Sequence, residues 1–144
     1  MNVVFHLLRV FVGVVLITTG IGKGLDLGGF VGVIVTYQLM PTLLHWPTAV
    51  GMTSFELCLG LWLLSGRHTG KAGLTSAALH ASFTVWAVIA LLRGLHIPNC
   101  GCFGVFLARP LTWATPIEDA VMIVCSLGVF ILFGKKSNSA QVGA

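Results

Sequence analysis

Charge is the scarcest commodity in this chain. Four of its 144 residues are Asp or Glu and eight are Lys or Arg, 8% in all, where an ordinary soluble domain carries about 25%. So few charges cannot clothe a water-exposed surface, and the soluble globular classes are excluded. The cations are scattered and form no basic stripe, which argues against a nucleic-acid partner, since a phosphate backbone needs a continuous positive face. The formal net charge of +4 is better explained by orientation in a bilayer. Cysteine is sparse as well. Four cysteines, two inside apolar runs and two in a loop, do not make the dense disulfide framework of a small secreted protein. No repeat with a period of 20 to 50 residues is present.

What the chain has instead is apolar length. With 56% hydrophobic residues and a mean hydropathy of +0.98, it reads as an all-α polytopic membrane protein, a bundle of four transmembrane helices. The spans are expected at about 3–21, 48–64, 74–92 and 116–133, each near the length a bilayer core requires. They form a single domain over 1–136, followed by a tail, 137–144, expected to be disordered. The first run has a weak basic flank and no small-residue cleavage site, so it is expected to remain as a span rather than act as a removed signal. The patch from Phe30 to Val35 is too short to cross. It is expected to form an interfacial or re-entrant helix between the first and second spans, with Tyr37 and Trp46 at headgroup depth. Thr115-Pro116-Ile117-Glu118 is a capping box with proline at the first helical position, and it marks the start of the last span. Gly134 is expected to end it.

The segment Asn99-Cys100-Gly101-Cys102-Phe103-Gly104 holds the only closely spaced thiols. Cysteines one residue apart can join only if the chain bends between them, and Gly101 allows the bend. A ring so small is strained, and strained or exposed disulfides are the labile, catalytic ones. Cys100 and Cys102 are therefore the candidate redox pair. The alternatives are a reduced pair in a tight turn or half of a metal site; with His96 the spacing matches none of the usual zinc patterns. Arg93 and Arg109 flank the loop and would favour thiolate if they approach it, although interfacial anchoring is the simpler role.

Ionisable groups within the spans are the second signal. Glu56 lies mid-span, where a charged carboxylate costs about 2.5 kcal/mol or more, so it should face the bundle interior and have a partner. His80 lies at a similar depth, about 10 to 13 Å by helical rise. The two could meet, or His80 could simply satisfy a backbone carbonyl. Lys23 and Asp26 are spaced to form an exposed pair at a helix end. Cys58 and Cys125 are expected to be packing residues.

Lys and Arg counts set the expected orientation. Arg9, Arg67, Lys71, Lys135 and Lys136 fall on one side and Lys23, Arg93 and Arg109 on the other, which places both termini in the cytoplasm. The thiol loop then faces outward, into the periplasm of a bacterial cell, where disulfides persist.

Arg9, the run Gly20-Ile21-Gly22-Lys23-Gly24-Leu25-Asp26, the stretch from Tyr37 to Pro41, Glu56-Leu57 with Gly60, and the Asn99 to Gly104 segment together resemble the MauE branch of the DoxX-like membrane proteins. The resemblance covers nearly the whole chain, and the Cys-Gly-Cys-Phe-Gly run is its specific part. It implies a four-helix inner-membrane protein associated with redox maturation of methylamine dehydrogenase, whose small subunit is rich in disulfides, and a thioredoxin-like periplasmic partner. The leading expectation is a membrane thiol:disulfide oxidoreductase. A quinone held against Phe103, Phe106 and Trp113 is one candidate electron partner. The competing expectations are a non-enzymatic assembly factor for a periplasmic client, and a proton or ion path through Glu56 and His80.

Overall fold

The structure, a computed structural model, describes the backbone of residues 3–142 and side chains to residue 134. Among the described residues it is all-helical, with α1 (Val3–Gly24), α2 (Leu27–Thr36), a short 3₁₀ turn (Thr42–Leu44), α3 (His45–Ser65), α4 (Thr69–Leu92) and α5 (Ala114–Val142). The helices α1, α3, α4 and the Ala114–Gly134 part of α5 are long and apolar enough to cross a membrane; α2 is not. The short helix thus lies between the first two spans, as its length requires.

Several boundaries differ from the sequence reading. α4 starts at Thr69 rather than 74, because Gly70 and Gly73 serve close packing instead of breaking the helix. A Cβ on Gly73 would stand 2.9 Å from the Ser126 carbonyl of α5, so the glycine lets the two backbones approach, as small residues do between membrane helices. Ser76 and Ser126 add a buried hydroxyl pair at 2.9 Å across the same contact. At the other end α5 does not stop at Gly134 but runs on to Val142. Residues 143 and 144 of the expected tail lie outside the described residues.

The spans pack mainly as α1 with α3 and α4 with α5. Their shared core is Phe5, Val12, Leu16, Leu59, Leu63, Ala72 and Val129. The outer surface carries large apolar side chains such as Val10, Val14, Leu61, Val85 and Val124, while Thr19, Lys23, Glu56, Ser76 and His80 are buried. Water would drive the opposite arrangement; lipid permits this one. The chain is a multi-pass membrane protein.

α2 is set at its angle by Asp26, whose Oδ1 accepts the Gly29 amide at 2.8 Å as an N-cap. Its buried face, Phe30, Val33 and Ile34, packs with Ala49 of α3. This short helix closes one end of the bundle, directly beneath the loop that carries the thiols.

Candidate functional site

The loop from Arg93 to Trp113 is held at both ends of its turn. Backbone hydrogen bonds from Leu111 to Ile97 (2.9 Å) and from Cys100 to Arg109 (2.7 Å) bring its two limbs together. Within it, Asn99 organises the bend. Its Oδ1 accepts the Gly101 amide at 2.9 Å, and its Nδ2 donates to the Gly104 carbonyl at 3.1 Å. Gly101 and Gly104 adopt φ of 78° and 71°, the left-handed region that costs a side-chain-bearing residue roughly 1 to 2 kcal/mol. Gly104 is doubly constrained, because a Cβ there would collide with the Gly22 carbonyl of α1, and one on Gly22 would stand 2.5 Å from the Phe103 carbonyl. Gly22 of α1 and Gly104 of the thiol loop thus make room for each other, and neither could carry a larger residue without parting the loop from the helix.

This packing fixes Cys100 and Cys102 with their Sγ atoms 3.0 Å apart, both as free thiols. Cys100 is buried and Cys102 partly so. Tyr37, just beyond α2, donates its hydroxyl to the Cys100 carbonyl at 2.7 Å, which anchors the loop from below. The thiols do not titrate alike. A hydrogen bond from the Cys102 thiol stabilises a Cys100 thiolate, and the Arg109 guanidinium adds to it, so that Cys100 falls to about 6 despite burial. Cys102 moves upward for the complementary reason, joined by burial and by the charge of Asp119. Of the two, Cys100 is the thiol whose ionised form is favoured.

Below the thiols lies a cavity of about 390 Å³ enclosed by all five helices and the loop. Its wall is mainly apolar, with Phe30, Val33, Ile34, Met52, Phe83 and Trp86 contributing. Into it face Lys23, Glu56, His80 and Asp119. Lys23 Nζ lies 2.5 Å from Glu56 Oε1, with side chains only 4% and 1% exposed. The ammonium is further flanked by the rings of Phe30 and Phe83, 5.4 and 5.2 Å from their centroids, a cation–π arrangement that offsets part of its desolvation. Glu56 Oε2 has no hydrogen-bond partner. Thiols, ion pair and apolar chamber form one continuous site.

The family described as Methylamine utilisation protein MauE matches residues 1–133. The chain belongs to the MauE family. Among curated proteins it is similar to methylamine utilization protein MauE of Paracoccus denitrificans, 25% identical over 122 residues, which is 85% of this chain and 66% of that protein. It is also similar to its namesake from Paracoccus versutus, 27% identical over 125 residues, 87% of this chain and 67% of that one. The chain spans about two thirds of the length of these relatives. No solved structure matches it.

In this MauE-family chain the structure redistributes several residues singled out from sequence. Lys23 does not pair with Asp26 at a helix end; it pairs with Glu56 across the bundle, and Asp26 caps α2. The i to i+3 spacing concealed this, because α1 ends where its last turn meets the middle of α3. Glu56 therefore has its interior partner, but it is not His80. His80 Nδ1 donates to the Ser76 carbonyl one turn back at 2.8 Å, and it shares only the cavity with Glu56. Arg93 reaches the Tyr37 and Gln38 carbonyls at 3.4 and 3.1 Å, so it clamps the end of α2 rather than the thiols. Arg109 does bear on Cys100, while also forming a two-pronged pair with Glu118, at 3.1 and 2.5 Å.

Of the aromatic residues offered for a quinone, Phe103 lines the cavity. Phe106 and Trp113 are 64% and 56% exposed and lie away from it. Cys125 packs against the bundle core, whereas Cys58 is exposed on the outer surface rather than packed. Sequence reasoning passed over Tyr37 as a loop anchor and Asp119 as a cavity residue. The signal for Asp119 was its place one turn into a membrane helix, masked by the neighbouring capping box.

Proposed function

We propose that this protein is a membrane thiol:disulfide redox protein that exchanges disulfides with proteins maturing on the outer side of the cell membrane. The observation that carries the reading is the Cys100–Cys102 couple, 3.0 Å apart and held by the loop, with Cys100 lowered to about 6. At neutral pH such a thiol is largely thiolate, the form that attacks a disulfide. In the oxidising direction, a client thiolate attacks the Cys100–Cys102 disulfide and forms a mixed disulfide. A second client thiolate resolves it, leaving the client oxidised and both loop cysteines reduced. Electron pairs and protons balance within the two dithiols.

Orientation supports the same reading. Five Lys and Arg fall on the side of the termini and three on the side of the thiol loop, a bias toward cytoplasmic termini and a periplasmic loop. The names of the Paracoccus relatives suggest that the client belongs to methylamine utilisation, with a thioredoxin-like periplasmic protein as carrier.

The test is a Cys100→Ser/Cys102→Ser variant in cells, with client disulfides counted by mass spectrometry, beside a Cys102→Ala variant screened for covalent adducts. Missing client disulfides and a trapped mixed disulfide on Cys100 are expected. Intact client disulfides and no adduct would leave only an assembly role.

A further inference from the structure

We infer that the cavity beneath the thiols is the binding site of a lipid-soluble quinone, held by Lys23 and Glu56, which takes the electrons of the Cys100/Cys102 pair. The inference rests on the thiol reading above and supplies its electron partner.

The size and lining come first. About 390 Å³ of mainly apolar space falls within the range of roughly 300 to 1,000 Å³ typical of small-molecule sites, where a few polar groups fix orientation. Phe11 of α1 and Val121 of α5 line this cavity and are 50% and 55% exposed. The chamber therefore communicates with the lipid between α1 and α5, and an isoprenoid chain can lie there while the ring lies inside.

The polar groups come second. Glu56 is 1% exposed, and its Oε2 accepts no hydrogen bond. A buried carboxylate oxygen left bare is costly, and it marks the place of an absent donor. Lys23 gives one N–H to Glu56 Oε1 and has two more to offer. A ligand that accepts from an ammonium in one redox state and donates O–H to a carboxylate in the other is a quinone/quinol couple. Phe30 and Phe83, already flanking Lys23, supply faces for the ring.

The balance closes. Cys100 and Cys102 lose two electrons and two protons as the sulfur–sulfur bond forms. The quinone gains two electrons and two protons and leaves as quinol. Cys100, Gly101 and Cys102 themselves line the chamber, so donor and acceptor share one compartment.

The test uses the full chain in lipid nanodiscs, in two arms. In the first, thiols are blocked with N-ethylmaleimide and an azido-substituted ubiquinone analogue is photo-crosslinked, with decylubiquinone as competitor. Saturable labelling within residues 11–23, 48–56 or 80–87 is expected; labelling that decylubiquinone does not compete, or that falls only on outward-facing residues, overturns the inference. In the second, reduced protein is mixed anaerobically with decylubiquinone. One quinone should be reduced for each two thiols lost, and Lys23→Met should raise the half-saturating quinone concentration at least ten-fold. Because Lys23→Met leaves Glu56 without its partner, Ala87→Phe, which adds bulk at a cavity-lining position while leaving both ion-pair residues in place, serves as the second variant and should abolish competed labelling. Labelling without thiol loss overturns the electron transfer. Thiol exchange with an oxidised thioredoxin-like protein is measured in parallel: if it proceeds while the quinone arms fail, this inference falls and the thiol reading stands, and the reverse result separates them the other way.

Discussion

Replacing Glu56 by glutamine tests the frame on which the site is built. The substitution preserves shape and removes charge, leaving Lys23 as an ammonium 4% exposed without its paired carboxylate. At the observed 2.5 Å, the Coulomb attraction is roughly 6 to 7 kcal/mol for an effective dielectric constant of about 20. Desolvation of both ions offsets most of that, so the pair as a whole adds little net stability. The loss on removing one partner is set instead by the stranded charge and should be about 3 to 5 kcal/mol. Lys23→Met should be destabilising as well, because it strands the Glu56 carboxylate. The double variant should recover part of the loss, giving a coupling energy of about 2 to 3 kcal/mol, at the upper end for residues in contact. The assay is reversible unfolding of all four proteins by SDS in mixed micelles, followed by circular dichroism. Additivity of the two single changes to within about 0.5 kcal/mol would refute the reasoning, since it would mean that Lys23 and Glu56 do not sense each other.

Two further outcomes follow from the loop. Alkylation of Cys100 by iodoacetamide should show a midpoint near 6: reactive thiolate persists above it and is lost as pH falls through it. Cys102→Ala should move that midpoint up by at least one unit, because the Cys102 hydrogen bond is the largest cause of the lowering; a midpoint unchanged by the substitution contradicts this. Gly104→Ala, which combines a φ of 71° with a collision against the Gly22 carbonyl, should cost at least about 2 kcal/mol and raise the Cys100 midpoint as the loop parts from α1. Gly51→Ala, where an added Cβ meets nothing within 4 Å, should lie within about 1 kcal/mol of the parent in the same unfolding assay.

What the linear chain determined by itself was the set of apolar lengths and the local turn chemistry. Four runs near bilayer length dictated four helices, because backbone groups in lipid can be satisfied no other way. A patch as short as Phe30 to Val35 could not be a fifth span, and Cys-Gly-Cys announced a bend with two thiols in it. These are properties of neighbours in sequence. The partners were decided only by tertiary structure. Lys23 lies three residues from Asp26 and thirty-three from Glu56, yet it chose the distant acid, because burial beside Phe30 and Phe83 makes an interior counter-charge worth far more than an exposed one. The same holds for Gly22 of α1, whose purpose shows only when the thiol loop rests on it, and for Asp119, which shares a cavity with Lys23 and Glu56 of other helices. Hydropathy is additive along a chain and can be read from it; electrostatic pairing and cavity shape depend on which faces the packed helices turn toward one another.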